Sequence, residues 1–260
     1  MSMFKRMLAS VGIGAARVNL MLHDSSVSAG GTLTGVVSIQ GGDVDQQVDD
    51  VYAYLKTHYV KERNDSKVNV EHTITKYQLT GKLNVAAGQT YELPVSLQLP
   101  PTTPVTWGRV PVWIQTGLDI KNAFDPEDQD RIQVTPHPDT AIVLEAVQRH
   151  LGFRLREVEL EYAPRYSSKT GLPFVQEFEF VPATQFRGQL DELEIFFFPH
   201  SNGVELLLQI DRKARGWSGW LSEKMNMDES FVKLNLDRVQ LNQGSAYVAQ
   251  QLKQVISRYA

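Results

Sequence analysis

The chain has 260 residues, with 26 Lys plus Arg against 30 Asp plus Glu, and a formal net charge of -4. At roughly 100–200 residues per domain this is one large domain or two small ones, and a hydrophobic share of 42% excludes disordered and collagen-like chains. The charge is spread evenly, with 12 basic and 14 acidic side chains in residues 1–134 and 14 and 16 in residues 135–260. That argues against a nucleic-acid binder, which needs a basic face. The absence of cysteine removes disulfides, Cys-ligated zinc, iron–sulfur clusters and thiol nucleophiles, and suits a cytoplasmic location.

Lys5 and Arg6 followed by residues 7–16 have the outline of a signal peptide. Ser10, Gly12 and Gly14 dilute the apolar run, so the favoured reading is a short amphipathic turn of Phe4, Met7 and Leu8 packed on the domain. No segment approaches the roughly 18 uninterrupted apolar residues of a membrane span, and a soluble protein is expected.

From there the dominant pattern has period two, the mark of strands with one buried face. Thr32–Gln40 sets Leu33, Val37 and Ile39 against Thr34, Ser38 and Gln40. Val51, Ala53 and Leu55 share one face; Tyr52, Tyr54 and Lys56 share the other. Residues 71–80, rich in Thr, Ile and Tyr, read as another strand. Residues 89–99 alternate Tyr91, Leu93, Val95, Leu97 and Leu99 with polar positions and Pro94. Proline has no N–H for the ladder, so this strand belongs at an edge or carries a bulge. Residues 110–120 turn Val112, Ile114 and Leu118 inward. Short strands without intervening helices indicate antiparallel sandwiches.

The pattern changes at Pro136 and Pro138. Asp139 is suited to cap a helix running to Leu151, with Val143, Val147 and Leu151 on its apolar face and Gly152 at its end. Alternation resumes at residues 153–161, 174–181, 191–199, 204–211 and 230–236, with His200-Ser201-Asn202-Gly203 as a hairpin signal. A last amphipathic helix over residues 245–259 aligns Val248, Leu252, Val255 and Tyr259. With about six strands before the middle helix and five after it, each half is enough for a small sandwich. The expected organisation is an all-β protein of two tandem antiparallel β-sandwiches, residues 1–135 and 136–260, with a helix near the junction and a C-terminal helix.

Chemistry-bearing motifs are missing. Gly12-Ile13-Gly14 meets Arg17 where a dinucleotide fingerprint needs its third glycine, and it precedes a strand instead of following one. There is no phosphate loop and no nucleophile elbow. The six histidines have no metal-ligand spacing. The acidic runs 43–50 and 125–130 fail as calcium loops, with Val48 where glycine is required and Tyr54 or Pro136 at the twelfth position; they read as solvated loops. Glu157, Glu159 and Glu161 alternate with Val158 and Leu160 as the wet face of a strand. No catalytic residue, cofactor site or metal site is therefore assigned, and no cofactor is expected.

One connection stands out. Arg212, Lys213 and Arg215 adjoin Trp217 and Trp220 in a Gly-containing stretch. Arg and Trp are enriched at interface hot spots, so Arg212, Arg215, Trp217 and Trp220 are the candidate partner-binding residues. Against this stands the bland reading, that the two rings close the end of the second sandwich.

Several stretches also carry a resemblance. Residues 4–16, Thr116-Gly117-Leu118-Asp119-Ile120-Lys121, Phe178-Glu179-Phe180-Val181-Pro182, residues 186–193, and residues 211–216 followed by Asp228-Glu229-Ser230 resemble the bacterial sporulation-control SpoOM family, in one order along nearly the whole chain. The resemblance implies an arrestin-like fold of two β-sandwich lobes and a non-enzymatic role in developmental or cell-division control, exerted through protein partners. It transfers no catalytic residue. An exposed sheet edge in such a fold would accept a strand from a partner. Two other readings compete with a cytoplasmic adaptor: a peripheral membrane binder using Lys5, Arg6 and the basic-aromatic stretch, and a hydrolase whose site forms between the lobes.

Overall fold

The computed structural model describes residues 14–63, 66–120, 125–212 and 231–260; the turn expected at Phe4, Met7 and Leu8 lies outside them. Two compact units divide the chain. One comprises the described residues up to His58, Val70–Thr106 and Pro111–Thr135; the other comprises Tyr59–Asn69, Trp107–Val110 and Pro136–Ala260.

Among the described residues ten strands precede residue 136: β1 (Arg17–Leu22), β2 (Ser26–Ser28), β3 (Thr32–Gln40), β4 (Gln46–Arg63), β5 (Ser66–Thr80), β6 (Leu83–Val85), β7 (Thr90–Gln98), β8 (Val112–Ile120), β9 (Glu127–Arg131) and β10 (Gln133–Thr135). In the first unit, β1, β3 and β7 form one antiparallel sheet. The other joins β9, β8 and β4, with β5 and β6 on the far side of β4. Period-two alternation builds the core between them: Leu33, Val37, Ile39 and Leu97 from the first sheet meet Val51, Ala53, Leu55, Ile114 and Leu118 from the second. β7 pairs only with β3 among the described residues, so Pro94, opposite Val36, sits on an edge strand where its missing N–H is tolerated. Tyr52 lies over Gly117, where any Cβ would fall 2.5 Å from the tyrosine hydroxyl. A larger residue there would have to displace that ring.

Sequence reasoning undercounted this half because β2, β6 and β10 are too short to show a period. β2 and β10 also pair in parallel, a departure from the antiparallel expectation. The acidic runs are loops only in part, since Asp43, Asp45 and Asp125 lie outside strands. Asp49 and Asp50 lie in β4, and Glu127, Asp128 and Asp130 lie in β9. Asp128 accepts the Leu20 N–H of edge strand β1 at 2.8 Å. Its charge and burial together, burial leading, push Asp130 up to about 6.

In the second unit, β11 (Phe153–Tyr162), β12 (Phe174–Pro182), β13 (Leu190–His200), β14 (Gly203–Arg212) and β15 (Phe231–Asp237) follow one another as an antiparallel meander, and Val60 of β4 pairs in parallel with Glu161 of β11. Among the described residues four α-helices accompany it: α1 (Pro138–Glu145), α2 (Ser167–Thr170), α3 (Arg238–Leu241) and α4 (Ser245–Ile256). α1 packs on β13 and β14, and α4 on α1. The N-cap of α1 is His137 instead of Asp139, which is a buried first-turn residue whose carboxylate meets Arg238 at 3.4 Å. α1 continues as a π turn over Ala146–His150. Val143, Val147 and Leu151 recur every four residues, and the wider i→i+5 turn counters the drift this spacing accumulates in a 3.6-residue helix, keeping all three buried. α4 stops at Ile256. Its buried face is Val248, Ala249, Leu252 and Ile256, and Tyr259, expected on that face, is 42% exposed beyond the helix.

Candidate functional site: the acidic face of the meander

In a meander, residues directly opposite across each ladder share a face. One face of β11–β15 is apolar apart from Gln176. Phe180, for instance, lies between Leu155 and Leu193. The other face is divided. One end holds Val175, Phe196, Phe198 and Leu207, packed with Ala163, Tyr166 and Phe231. The other end is acidic.

The registers place the acids in rows. Glu159 is opposite Glu177; Glu157 is opposite Glu179, which is in turn opposite Glu194; Glu192 is opposite Asp211. Glu161 of β11 extends the first column. Like charges directly opposite one another destabilise a sheet, so this arrangement needs compensation. Part comes from Arg156, which sits in a β-bulge at the register shift between Leu155 and Glu157. The bulge re-aims its side chain, and its guanidinium bridges Glu179 and Glu192. Lys67 of β5 pairs with Glu159 at 3.4 Å. At the apolar end, burial opposes ionisation of Glu205, but Lys169 and Lys233 outweigh it and hold its carboxyl below the usual range.

Glu177 and Glu194 have no cation against them among the described residues. Burial first, then the charge of neighbouring carboxylates, pushes Glu177 up to about 7 and Glu194 to about 8. A cleft of about 390 Å³ opens beside them, lined by Val60, Glu62, Lys67, Glu159, Glu161, Tyr162 and Glu177. Lys61 is turned over the ring of Tyr162 at 4.1 Å, a cation–π contact. Glu192, Glu194 and Asp211 each bring one oxygen within 4.8 Å of the others. Hard cations take roughly six to eight oxygen ligands, so these three alone are only part of a set.

Arg156 is the main compensating charge, so Arg156→Ala is expected to destabilise the protein by about 1–3 kcal/mol. The estimate is below the buried-pair range because the arginine side chain is 48% exposed while Glu179 and Glu192 are 15% and 24% exposed. Denaturant unfolding checks it; a change under about 0.5 kcal/mol would show that the carboxylates relax into solvent.

The residues singled out in the sequence fall elsewhere or outside view. Arg212 ends β14, is exposed, and donates from Nε to the Tyr259 carbonyl. Arg215, Trp217 and Trp220 lie outside the described residues, as do Lys5 and Arg6. Histidines touch hydroxyls twice, His23 with Thr34 and His150 with Ser245, each at 3.1 Å. Both contacts are exposed, and neither ring has a carboxylate partner among the described residues to complete a relay. No described helix is long and apolar enough to cross a membrane.

Sequence reasoning read Glu157, Glu159 and Glu161 singly, as one strand's wet face. The missed signal was repetition: Glu177 with Glu179 and Glu192 with Glu194 carry the same two-residue spacing on the next two strands. A meander superposes them.

Fold and face together define an all-β scaffold whose most distinctive feature is a charged sheet surface. Residues 4–214 match the family model described as SpoOM protein. The sporulation-control protein spo0M of Bacillus subtilis (strain 168) is 38% identical over 261 residues, covering 100% of both chains. The crystal structure of Spo0M, sporulation control protein, from Bacillus subtilis superposes with a TM-score of 0.85 at 37% identity, covering 95% of this chain and 100% of that one. The chain belongs to the SpoOM family.

Proposed function

We propose that this protein is a non-enzymatic cytoplasmic regulator, acting in sporulation or a related developmental process by docking a protein partner. Family membership supports the regulatory role. The docking reading is carried by one observation, the acidic end of the β11–β14 face, which gathers eight carboxylates (Glu157, Glu159, Glu161, Glu177, Glu179, Glu192, Glu194 and Asp211), with Arg156 and Lys67 pairing to Glu159, Glu179 and Glu192 among the described residues. Such a surface fits a Lys- and Arg-rich segment of a partner, and complementary charge governs encounter rate and specificity. Arg212, Arg215, Trp217 and Trp220 are proposed as a second contact, tested by substituting the two tryptophans with alanine.

A photo-crosslinker placed at Glu157, compared with one at Lys253 on the exposed side of α4, tests the docking. A partner should be captured from Glu157 alone. The pair Glu157→Lys and Glu159→Lys should weaken its binding at least about tenfold at low salt, with the difference shrinking as ionic strength rises. Equal capture from both positions, or binding indifferent to the reversal, would defeat this reading.

A further inference from the structure

We propose that the acidic face is a proton-sharing switch: Glu177 and Glu194 share protons within the carboxylate cluster, and losing them as pH rises charges the face and loosens the sheet that carries it. The geometry comes first. Glu177 stands opposite Glu159 and diagonal to both Glu161 and Glu194, so its carboxyl has carboxyl neighbours on both adjacent strands. An ionised carboxylate only accepts, so two carboxyl groups in hydrogen-bonding contact need a proton between them. Glu177 and Glu194 are diagonal neighbours on adjacent strands, within reach of long side chains.

Every element around the pair adds negative charge. β11 presents Glu157 and Glu159, β12 presents Glu179, β13 presents Glu192 and β14 presents Asp211. Glu62 lines the cleft from the end of β4. Among the described residues, Arg156 is held by Glu179 and Glu192, Lys67 by Glu159 and Lys61 over Tyr162, while Arg154, opposite Val181, stands at the far end of the face from Glu177. Protonation is the remaining way to relieve the repulsion, consistent with the upward displacement of both carboxyls.

The sign follows from linkage. These acids bind protons more tightly folded than unfolded. Their contribution is therefore fully present below the unfolded value and is lost as pH rises through about 7 and about 8. Other shifted groups stay out of a window from pH 7 to 8.5. Burial lowers His72 and His137, with opposite sign and at lower pH; Asp130 titrates at about 6, and Tyr52 and Tyr77 at about 12.

The test is a carboxyl carbon-13 NMR titration of the full chain from pH 4 to 9. Two glutamate resonances should have midpoints above about pH 6.5. Glu194→Gln should remove the higher of the two, while Glu205→Gln removes only a low-titrating resonance. In parallel, the unfolding constant of the native chain should rise about tenfold per pH unit around pH 7.5, one proton being released per unfolding event. Glu194→Gln should flatten that to under about threefold. If every glutamate midpoint lies below about pH 5.5, the switch does not exist; the native chain alone gives this readout, so a variant that fails to fold cannot obscure it. The titration is read without a partner, so its failure and that of the docking reading are separable.

Discussion

Phe180→Ala is expected to destabilise the protein by about 3–5 kcal/mol, the range for truncating a large buried aromatic side chain. Phe180 is 0% exposed and sits on the apolar face of the meander between Leu155 and Leu193. Phe180 is paired on both sides, with Leu155 of β11 and Leu193 of β13, and these strands cannot freely close into the space the ring leaves. The transfer loss and the cavity therefore add. Urea unfolding should show a lower midpoint with an unchanged slope, and amide exchange should accelerate first in β11–β13. A loss under about 1 kcal/mol would mean that the face repacks freely and is not the core described here.

The second large effect is expected at Gly203→Ala. Gly203 follows the Ser201-Asn202 turn with φ +143°, a conformation open to glycine and rarely to other residues. A Cβ there would lie 2.1 Å from the Leu236 carbonyl oxygen on β15. The obstruction is backbone on a paired strand, so no rotamer relieves it. Either β15 shifts along its ladder or the hairpin opens, at about 2–4 kcal/mol from strain and lost pairing. Ser201→Ala in the same turn should change stability by less than about 0.5 kcal/mol, and equal effects at the two positions would contradict the geometry.

These two positions illustrate how unevenly the molecule was legible in its sequence. Phe180 and Gly203 were both placed correctly, one by alternation and the other by its turn chemistry. Helix limits were less secure. Tyr259 keeps the apolar spacing of α4, yet the helix ends at Ile256 because its buried stripe is completed there. Asp139 looked like a cap, but His137 takes that place and accepts the Asp139 N–H at 3.3 Å. Composition alone cannot separate two polar residues two positions apart.

The acidic face shows the same division at the level of function. Glu179, Glu192 and Asp211 each lie inside stretches that carry the family resemblance, and none attracted notice as a charge. Their joint effect on Arg156, and the repulsion concentrated at Glu177 and Glu194, exist only once β11 to β14 lie side by side.

What the sequence by itself determined was the class of fold, the family, the strand faces, the hairpin and the edge position of Pro94. Each rests on local chemistry, which periodicity and turn residues express directly. What only the tertiary structure decided was which exposed residues meet. Ladder register brings carboxylates from four strands within hydrogen-bonding and Coulombic range. At that distance burial and mutual repulsion, absent in the extended chain, turn ordinary glutamates into groups that keep protons near neutral pH.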